Sequence, residues 1–315
     1  MFRGAARISD GNPIAAVPSS SLALVVRSVP QGPAVVPVAG VAVVRRRIPG
    51  AAPDAYEPGT DSPRKAGLLV VRIVRSQGGV MTTTLITGAN KGLGYETARR
   101  LVAAGHTVYV GSRDAGRGRR AAEQLGARAV QLDVTDDASV RAAVKAVEAE
   151  GGLDVLINNA GIESRGEGNS VLGAADVTAD VMRETFETNV FGMVRVTHAF
   201  LPLLQASAAP VVVNVSSGLA SLARVSDAGT PAYAYPGVAY PASKTTVNMI
   251  TVQYAKAFPT MRINAVEPGF TKTDLNGNTG IQTVEQGAEI IVRMAQIGPD
   301  GPTGGFFDAE GTLPW

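Results

Sequence analysis

TTLITGANKGLG, Thr83 to Gly94, is the stretch on which the fold turns. Its first four residues are β-branched or apolar, the composition of a strand buried on both faces. Three glycines follow, Gly88, Gly92 and Gly94, and then a helical pattern running through Leu101. Glycine adopts positive φ without steric cost and lets the backbone approach another group closely. A helix that starts directly behind such a turn presents its free N–H groups to an anion. A glycine-rich string alone means little. A strand before it and a helix after it supply the context a phosphate-binding turn requires, although the spacing is not the common G-x-G-x-x-G.

Working outward, the same alternation repeats. TVYVGS (Thr107–Ser112) precedes AGRGRRAAEQLG, and ARAVQLDV precedes a helix from about Asp136 to Glu150, with Asp136 as its N-cap. LDVLINNAG (Leu153–Gly161) leads through a polar loop to a long helix from about Thr178 to Ala206. PVVVNVSS (Pro210–Ser217), MRINAVEPG (Met261–Gly269), a helix near Val284–Gln296 and a strand near Thr303–Phe307 complete the series. Apolar strands alternating with helices predict an α/β fold: one doubly wound Rossmann-type domain, its parallel sheet of about seven strands flanked by helices.

That domain spans 81–315. Residues 1–80 carry nine of the 19 prolines and no sustained helical or alternating period. Their most apolar part, Ser28–Val44, is broken by prolines and too short to cross a bilayer. The order of charge and apolar residues there is not that of a signal peptide. This segment is expected to be a disordered extension or to lie upstream of a natural start at Met81. A chain beginning at Met81 should therefore keep the melting temperature and activity of the full chain. A drop of many degrees on truncation would show that the segment packs on the domain.

Charge divides in the same place. Nine Arg and Lys65 face four acids before residue 81, so the net +2 belongs to that segment, and the rest of the chain is net acidic. Neither a nucleic acid nor a membrane is expected as a partner. At 45% hydrophobic and 18% charged, the chain carries enough apolar residues for a large core. With no cysteine and only His106 and His198, it offers no thiolate metal site, cysteine nucleophile or Ser-His-Asp triad, and it suits the cytoplasm.

AYPASKTTVNMITVQYAKAF, Ala239–Phe258, holds the chemistry. Tyr240 and Lys244 stand at i and i+4 of a helical run, which places a phenol and an ammonium one turn apart on one face. With TGANKGLG, NNAG (Asn158–Gly161), the paired serines Ser216 and Ser217, and Pro268–Gly269, this pair completes an ordered set. The set resembles the short-chain dehydrogenase/reductase family over Met81–Trp315 and none of residues 1–80.

The resemblance implies roles. Tyr240 would be the general acid that protonates a carbonyl oxygen, or the base in reverse. Lys244 would favour the phenolate and hydrogen-bond the nicotinamide ribose, because a nearby cation lowers a phenol's pKa of about 10. Ser217, with Ser216 as the alternative, would orient the carbonyl, and Asn189 would anchor a water connecting the lysine to solvent. The cofactor would be held by Gly88, Asn90, Lys91, Gly92, Leu93 and Gly94 at the turn. Asp133 would meet the adenine amino group with Val134 beside it, and Asn158 the adenosine ribose. Pro268, Gly269 and Thr273 would lie at the nicotinamide end, with Lys272 and Asp274 facing solvent.

Two departures refine the reading. The interval from Ser217 to Tyr240 is longer than many family members use, and the extra residues fall around Arg224–Gly237. With Asn90 and Lys91 in the turn, this is similar to the carbonyl reductase branch and favours a monomer over a homo-oligomer. At the end of the second strand, Arg113 stands where NAD-preferring members carry an acid, so NADP(H) is the expected cofactor. Ser112 would add a hydroxyl, while Asp114 could turn inward and favour NAD. The implied activity is NADP(H)-dependent interconversion of a ketone or aldehyde and an alcohol, the substrate being a small carbonyl compound or alcohol. The alternatives are a non-catalytic NADP(H)-binding redox sensor and an epimerase or dehydratase of the extended relatives. The first usually lacks the Tyr or Lys, and the second has T-G-x-x-G-x-x-G.

Overall fold

Thr83–Ile86 (β1) is buried at every residue, and its neighbours explain why. Leu85 points to one face of the sheet and Ile86 to the other, as successive strand residues must, and each meets a separate apolar layer. A computed structural model describes residues 81–315 of the chain. Upstream it describes only four short strands, Ala23–Val26 paired antiparallel with Ala34–Pro37 and Val41–Val43 with Ile73–Arg75. The expected disorder or later start at residues 1–80 otherwise lies outside the described residues.

From Met81 onward the elements follow in order: α1 (Gly92–Ala103), β2 (Thr107–Ser112), α2 (Ala115–Leu125), β3 (Arg128–Gln131), α3 (Asp137–Ala149) and β4 (Val155–Asn158). Then come α4 (Ala179–Phe186), α5 (Met193–Ala206), β5 (Val211–Val215), α6 (Leu222–Val225), α7 (Ala239–Ala257), β6 (Arg262–Val266), α8 (Val284–Ala295) and β7 (Phe306–Phe307). The seven strands form one sheet in the order β7-β6-β5-β4-β1-β2-β3, every pairing parallel. Ile86, Val110, Ile157, Val213 and Val266 pack with Leu101 of α1, Ala121 of α2 and Ile290 of α8. Leu85, Leu156, Val212 and Ile263 pack on the opposite layer with Val140 of α3, Phe200 of α5 and Ala255 of α7. The sheet is therefore covered on both faces, as its nearly uninterrupted apolar strands predict.

Boundaries shift in three places. The third strand covers only Arg128–Gln131, and the last only Phe306–Phe307, the two residues that reach Ala265 and Val266. The expected long helix is helical from Ala179 to Ala206, but Glu187–Gly192 is wound as a π-helix. Such turns are rare and interrupt the regular hydrogen-bond ladder; this one carries Asn189. Asp136 caps α3 as expected, its side chain accepting from Ala138 N at 2.8 Å. Because all strands run in one direction, their carboxyl ends share one edge. That edge collects Thr87, Ser112, Asn159, Ser217 and Glu267.

Candidate active site and nucleotide cleft

The glycine turn is held in place from beneath. The Thr87 hydroxyl accepts from the backbone N–H of Asn159 and of Ala160, at 3.0 and 2.9 Å. The Asn159 side chain donates to the carbonyls of Thr87 and Gly88, at 2.8 and 3.2 Å. Gly88 and Gly92 have φ of +65° and +56°, the left-handed region that other residues avoid. A Cβ on Gly94 would stand 2.6 Å from Asn159 Nδ2 and 2.8 Å from Gly88 O, so no larger residue fits. Lys91, the N-cap of α1, makes no side-chain cap bond, and the first turn of α1 contains no acid. The leading N–H groups of α1 thus have no side-chain partner, which fits a pyrophosphate at this helix end.

Asn158 itself points elsewhere. It is buried, donating to Thr197 Oγ1 at 3.0 Å and Asn214 Oδ1 at 2.8 Å inside the core, so its side chain is not available to an adenosine ribose. The second asparagine of NNAG, not the first, braces the cleft. Val134 has its side chain buried toward Gly192 and its carbonyl accepting from Arg195 at 2.7 Å, which leaves its N–H beside Asp133. Asp133 stays at the cleft. One of its oxygens holds Thr135, and the residue lines a cavity of about 320 Å³ with Arg113, Gln131, Asp136 and Ser139. Ser112 is buried and donates to Asp114 O at 2.9 Å, so its hydroxyl is not free for a ligand. Asp114 does not turn inward, because it caps α2 by accepting from Arg117 N at 2.8 Å. Arg113 is exposed, and its guanidinium makes no hydrogen bond among the described residues.

Across the cleft, Gly269 (φ +77°) donates its N–H to Glu267 Oε1 at 2.9 Å, and the Pro268 carbonyl accepts from Thr271 and Gln282. Thr273 lies against the glycine turn, its Cγ2 3.7 Å from where a Cβ on Gly92 would be. Leu93 packs toward Gly287 of α8, which leaves its backbone to face the turn. Lys272 is exposed as expected. Asp274 is exposed too, but it does not simply face solvent: it pairs with Lys91 at 2.6 Å, closing the rim of the cleft.

Tyr240 and Lys244 share one face of α7. The Lys244 Nζ is 5.7 Å from the Tyr240 ring centroid and donates to Val215 O, at the end of β5, at 2.8 Å. Lys244 is 5% exposed, and burial lowers its pKa to about 8. Gly161 packs closely between Lys244 and Asn189: a Cβ there would lie 3.4 Å from Nζ and 3.3 Å from Asn189 Oδ1. The Asn189 side chain donates to Ile162 O and Ser243 Oγ and accepts from Ile162 N. Both of its amide N–H groups are thereby used, so the side chain has no donor left for a water.

The two serines divide. Ser216 is buried and donates to Asn248 Oδ1 of α7 at 2.7 Å. Ser217 caps a short 3₁₀ turn through Leu219 N and stands beside the phenol. Burial pushes the Tyr240 pKa well above its ordinary value, the charge of Glu163 adds to the rise, and Ser217 opposes it. The Lys244 ammonium, held by Val215 O and 5.7 Å from the ring centroid, is the nearby cation that favours the phenolate once the proton has left.

The supporting residues are less visible in the sequence. Thr87 and Asn159 lay inside quoted motifs and carried the signal. Glu163, Arg165, Tyr235 and Glu267 carried none, being single polar residues in loops. Glu267 is a largely buried carboxylate whose pKa is raised by desolvation, and it joins the turns of Gly218 and Gly269.

Comparison with known proteins agrees with this geometry. The family model for short chain dehydrogenase matches residues 82–283. The (+)-neomenthol dehydrogenase of Capsicum annuum is 33% identical over 71% of this chain and 94% of its own. The structure of salutaridine reductase from Papaver somniferum superposes with a TM-score of 0.63 at 29% identity, over 72% of this chain and 99% of that one. NADPH-bound carbonyl reductase from chicken fatty liver gives 0.64 at 27%, over 75% and 99%.

Proposed function

The chain belongs to the short-chain dehydrogenase/reductase family and is an oxidoreductase of the kind that interconverts ketones and alcohols; on that premise we propose that it is an NADP(H)-dependent carbonyl reductase with Tyr240 as its proton donor. The observation that carries the reading is the meeting at one phenol of a buried ammonium one helical turn away and a serine hydroxyl, at the sheet edge that also carries the braced glycine turn. NADPH, when bound, supplies the hydride. The chain supplies position and the proton.

Ser217, beside the phenol, orients the carbonyl oxygen toward Tyr240. Because Tyr240 holds its proton more tightly than a free phenol, it is protonated across the neutral range, as a donor to carbonyl must be. The phenolate left behind is stabilised by the Lys244 ammonium one turn away. The main chain of Asn189, in its π turn, holds a water through which Lys244 exchanges protons with solvent. Arg113 and Lys91 grip the additional phosphate of NADP(H), with Asp133 at the adenine and Gly88, Asn90, Gly92, Leu93 and Gly94 around the pyrophosphate. Pro268, Gly269 and Thr273 border the nicotinamide. On this reading the protein is a monomer acting in the cytoplasm. Among the described residues no helix is long and apolar enough to cross a membrane.

The lysine sets a pH limit. A shift from 10.5 to about 8 corresponds to about 3 kcal/mol disfavouring the charged form. Lys244 is charged below about pH 8 and neutral above it, so the cation that stabilises the phenolate disappears on the alkaline side. We expect kcat/KM for carbonyl reduction to be level from about pH 6 to 7.5 and to fall about tenfold per unit above 8. The test follows NADPH absorbance across a panel of ketones and aldehydes and takes the best substrate through the pH series. Activity on no carbonyl compound would sink the assignment, and a profile level to pH 9.5 would remove Lys244 from it.

A further inference from the structure

The loop leaving β4 brings an acid and a base to the phenol. The side chains of Glu163 and Arg165 are 7% and 16% exposed, and Arg165 Nη2 lies 2.6 Å from Glu163 Oε2. The other carboxylate oxygen accepts from the Tyr235 hydroxyl, which belongs to the insertion before Tyr240. A bridge between Gly173 and Gly237 ties the same two segments together. One function of the trio is thus to fasten the insertion, but three observations go beyond a fastening. The loop leaves the catalytic pair itself: Gly161, two residues before Glu163, packs against Lys244 Nζ, Ile162 is bonded to Asn189, and Glu163 holds Tyr235, five residues before Tyr240, so Glu163 and Arg165 border the Tyr240 side of the cleft. Each Glu163 oxygen has one protein partner, whereas a carboxylate offers about four acceptor sites. Arg165 Nε is buried and has no hydrogen-bond partner among the described residues, and a buried donor left unmade is costly.

An acceptor with spare capacity beside an unpartnered donor matches a group that both donates and accepts. A hydroxyl is such a group. We propose that Glu163 and Arg165 form a specificity-determining station for a hydroxylated ketone, Glu163 accepting from the substrate's hydroxyl while Arg165 Nε donates to its oxygen. The inference rests on the carbonyl reductase reading and names the substrate class within it. A ketone lacking the hydroxyl leaves the station unanswered, and sites of this kind discriminate strongly.

The test uses the full chain with NADPH, and compares cyclohexanone with its three monohydroxylated derivatives. The wild type should favour at least one derivative by about 10²-fold in kcat/KM. Glu163→Gln, nearly isosteric, should erase that preference, the hydroxylated ketone falling toward cyclohexanone chiefly through a rise in KM. Glu163→Asp should restore part of it. Arg165→Lys retains the ion pair but lacks Nε; it should lower the preference even if Glu163→Gln does not fold, which melting temperatures will reveal. An equal fall for cyclohexanone and its derivatives in Glu163→Gln would mark a fastening alone and overturn the proposal. So would a wild type indifferent to the hydroxyl. If cyclohexanone and other plain ketones are reduced without such a preference, the reductase reading survives and this inference does not. If no ketone is reduced, both fall.

Discussion

Tyr240→Phe should lower kcat about 10³-fold while leaving NADPH binding within a few-fold of wild type, because it deletes a single oxygen. A positioned proton donor contributes on the order of 10²–10⁴ in rate, and the hydroxyl here has no obvious stand-in. Ser217 is next to it, but that hydroxyl already accepts from Leu219 N at 3.2 Å and is far too weak an acid to replace a phenol. Lys244 is directed to Val215 O. The Phe ring keeps the volume of the Tyr ring and its contact with Lys244, so the cleft should survive the change. NADPH fluorescence on binding and single-turnover rates separate the two quantities. Retention of more than a few per cent of kcat would take Tyr240 out of the acid role. Loss of binding in parallel with rate would show instead that the phenol shapes the cleft.

The second large effect is on cofactor choice. Arg113 and Lys91 are both exposed, the first lining the cavity that Asp133 also lines. Charge-assisted hydrogen bonds are worth about 1.5–3 kcal/mol each, so Arg113→Ala with Lys91→Ala should reduce the kcat/KM preference for NADPH over NADH by about 10²-fold or more. Asp274 is the competitor, since it already holds Lys91 at 2.6 Å. Exposed pairs of this sort contribute about 0–1 kcal/mol, less than a phosphate dianion offers, so the lysine should exchange partners. Asp274→Asn should accordingly tighten NADPH slightly and leave NADH unchanged. Raised salt should weaken NADPH binding more than NADH binding, because only the former gains from these charges. A wild type that used NADH equally well, or a double variant that kept its preference, would contradict the assignment.

Much of the molecule was legible without coordinates, for reasons that differ by residue. The β1 strand and the α1 helix announce themselves because β-branched residues, glycines and a helical period recur at fixed local spacing. Tyr240 and Lys244 are legible because an i,i+4 pair on a helix is a contact that needs no tertiary information. Gly88, Gly92 and Gly94 are legible because a backbone conformation and a close approach both exclude side chains at those points.

What lies between elements was not. Asn158 and Asn159 are neighbours in the chain, yet one faces Thr197 in the core and the other the glycine turn, and only the packed sheet separates them. Ser216 and Ser217 divide in the same way, since strand residues alternate sides and α7 happens to lie on one of them. Local periodicity settles the elements because it is written in the neighbours of each residue. Asp274, the partner of Lys91, and Tyr235, which donates to Glu163, lie 183 and 72 residues away, and no local pattern encodes them. The sequence alone thus determined the family fold, the glycine turn and the Tyr–Lys pair. Only the tertiary structure decided that burial raises the phenol's pKa, because desolvation depends on everything packed around a group and not on its neighbours in the chain.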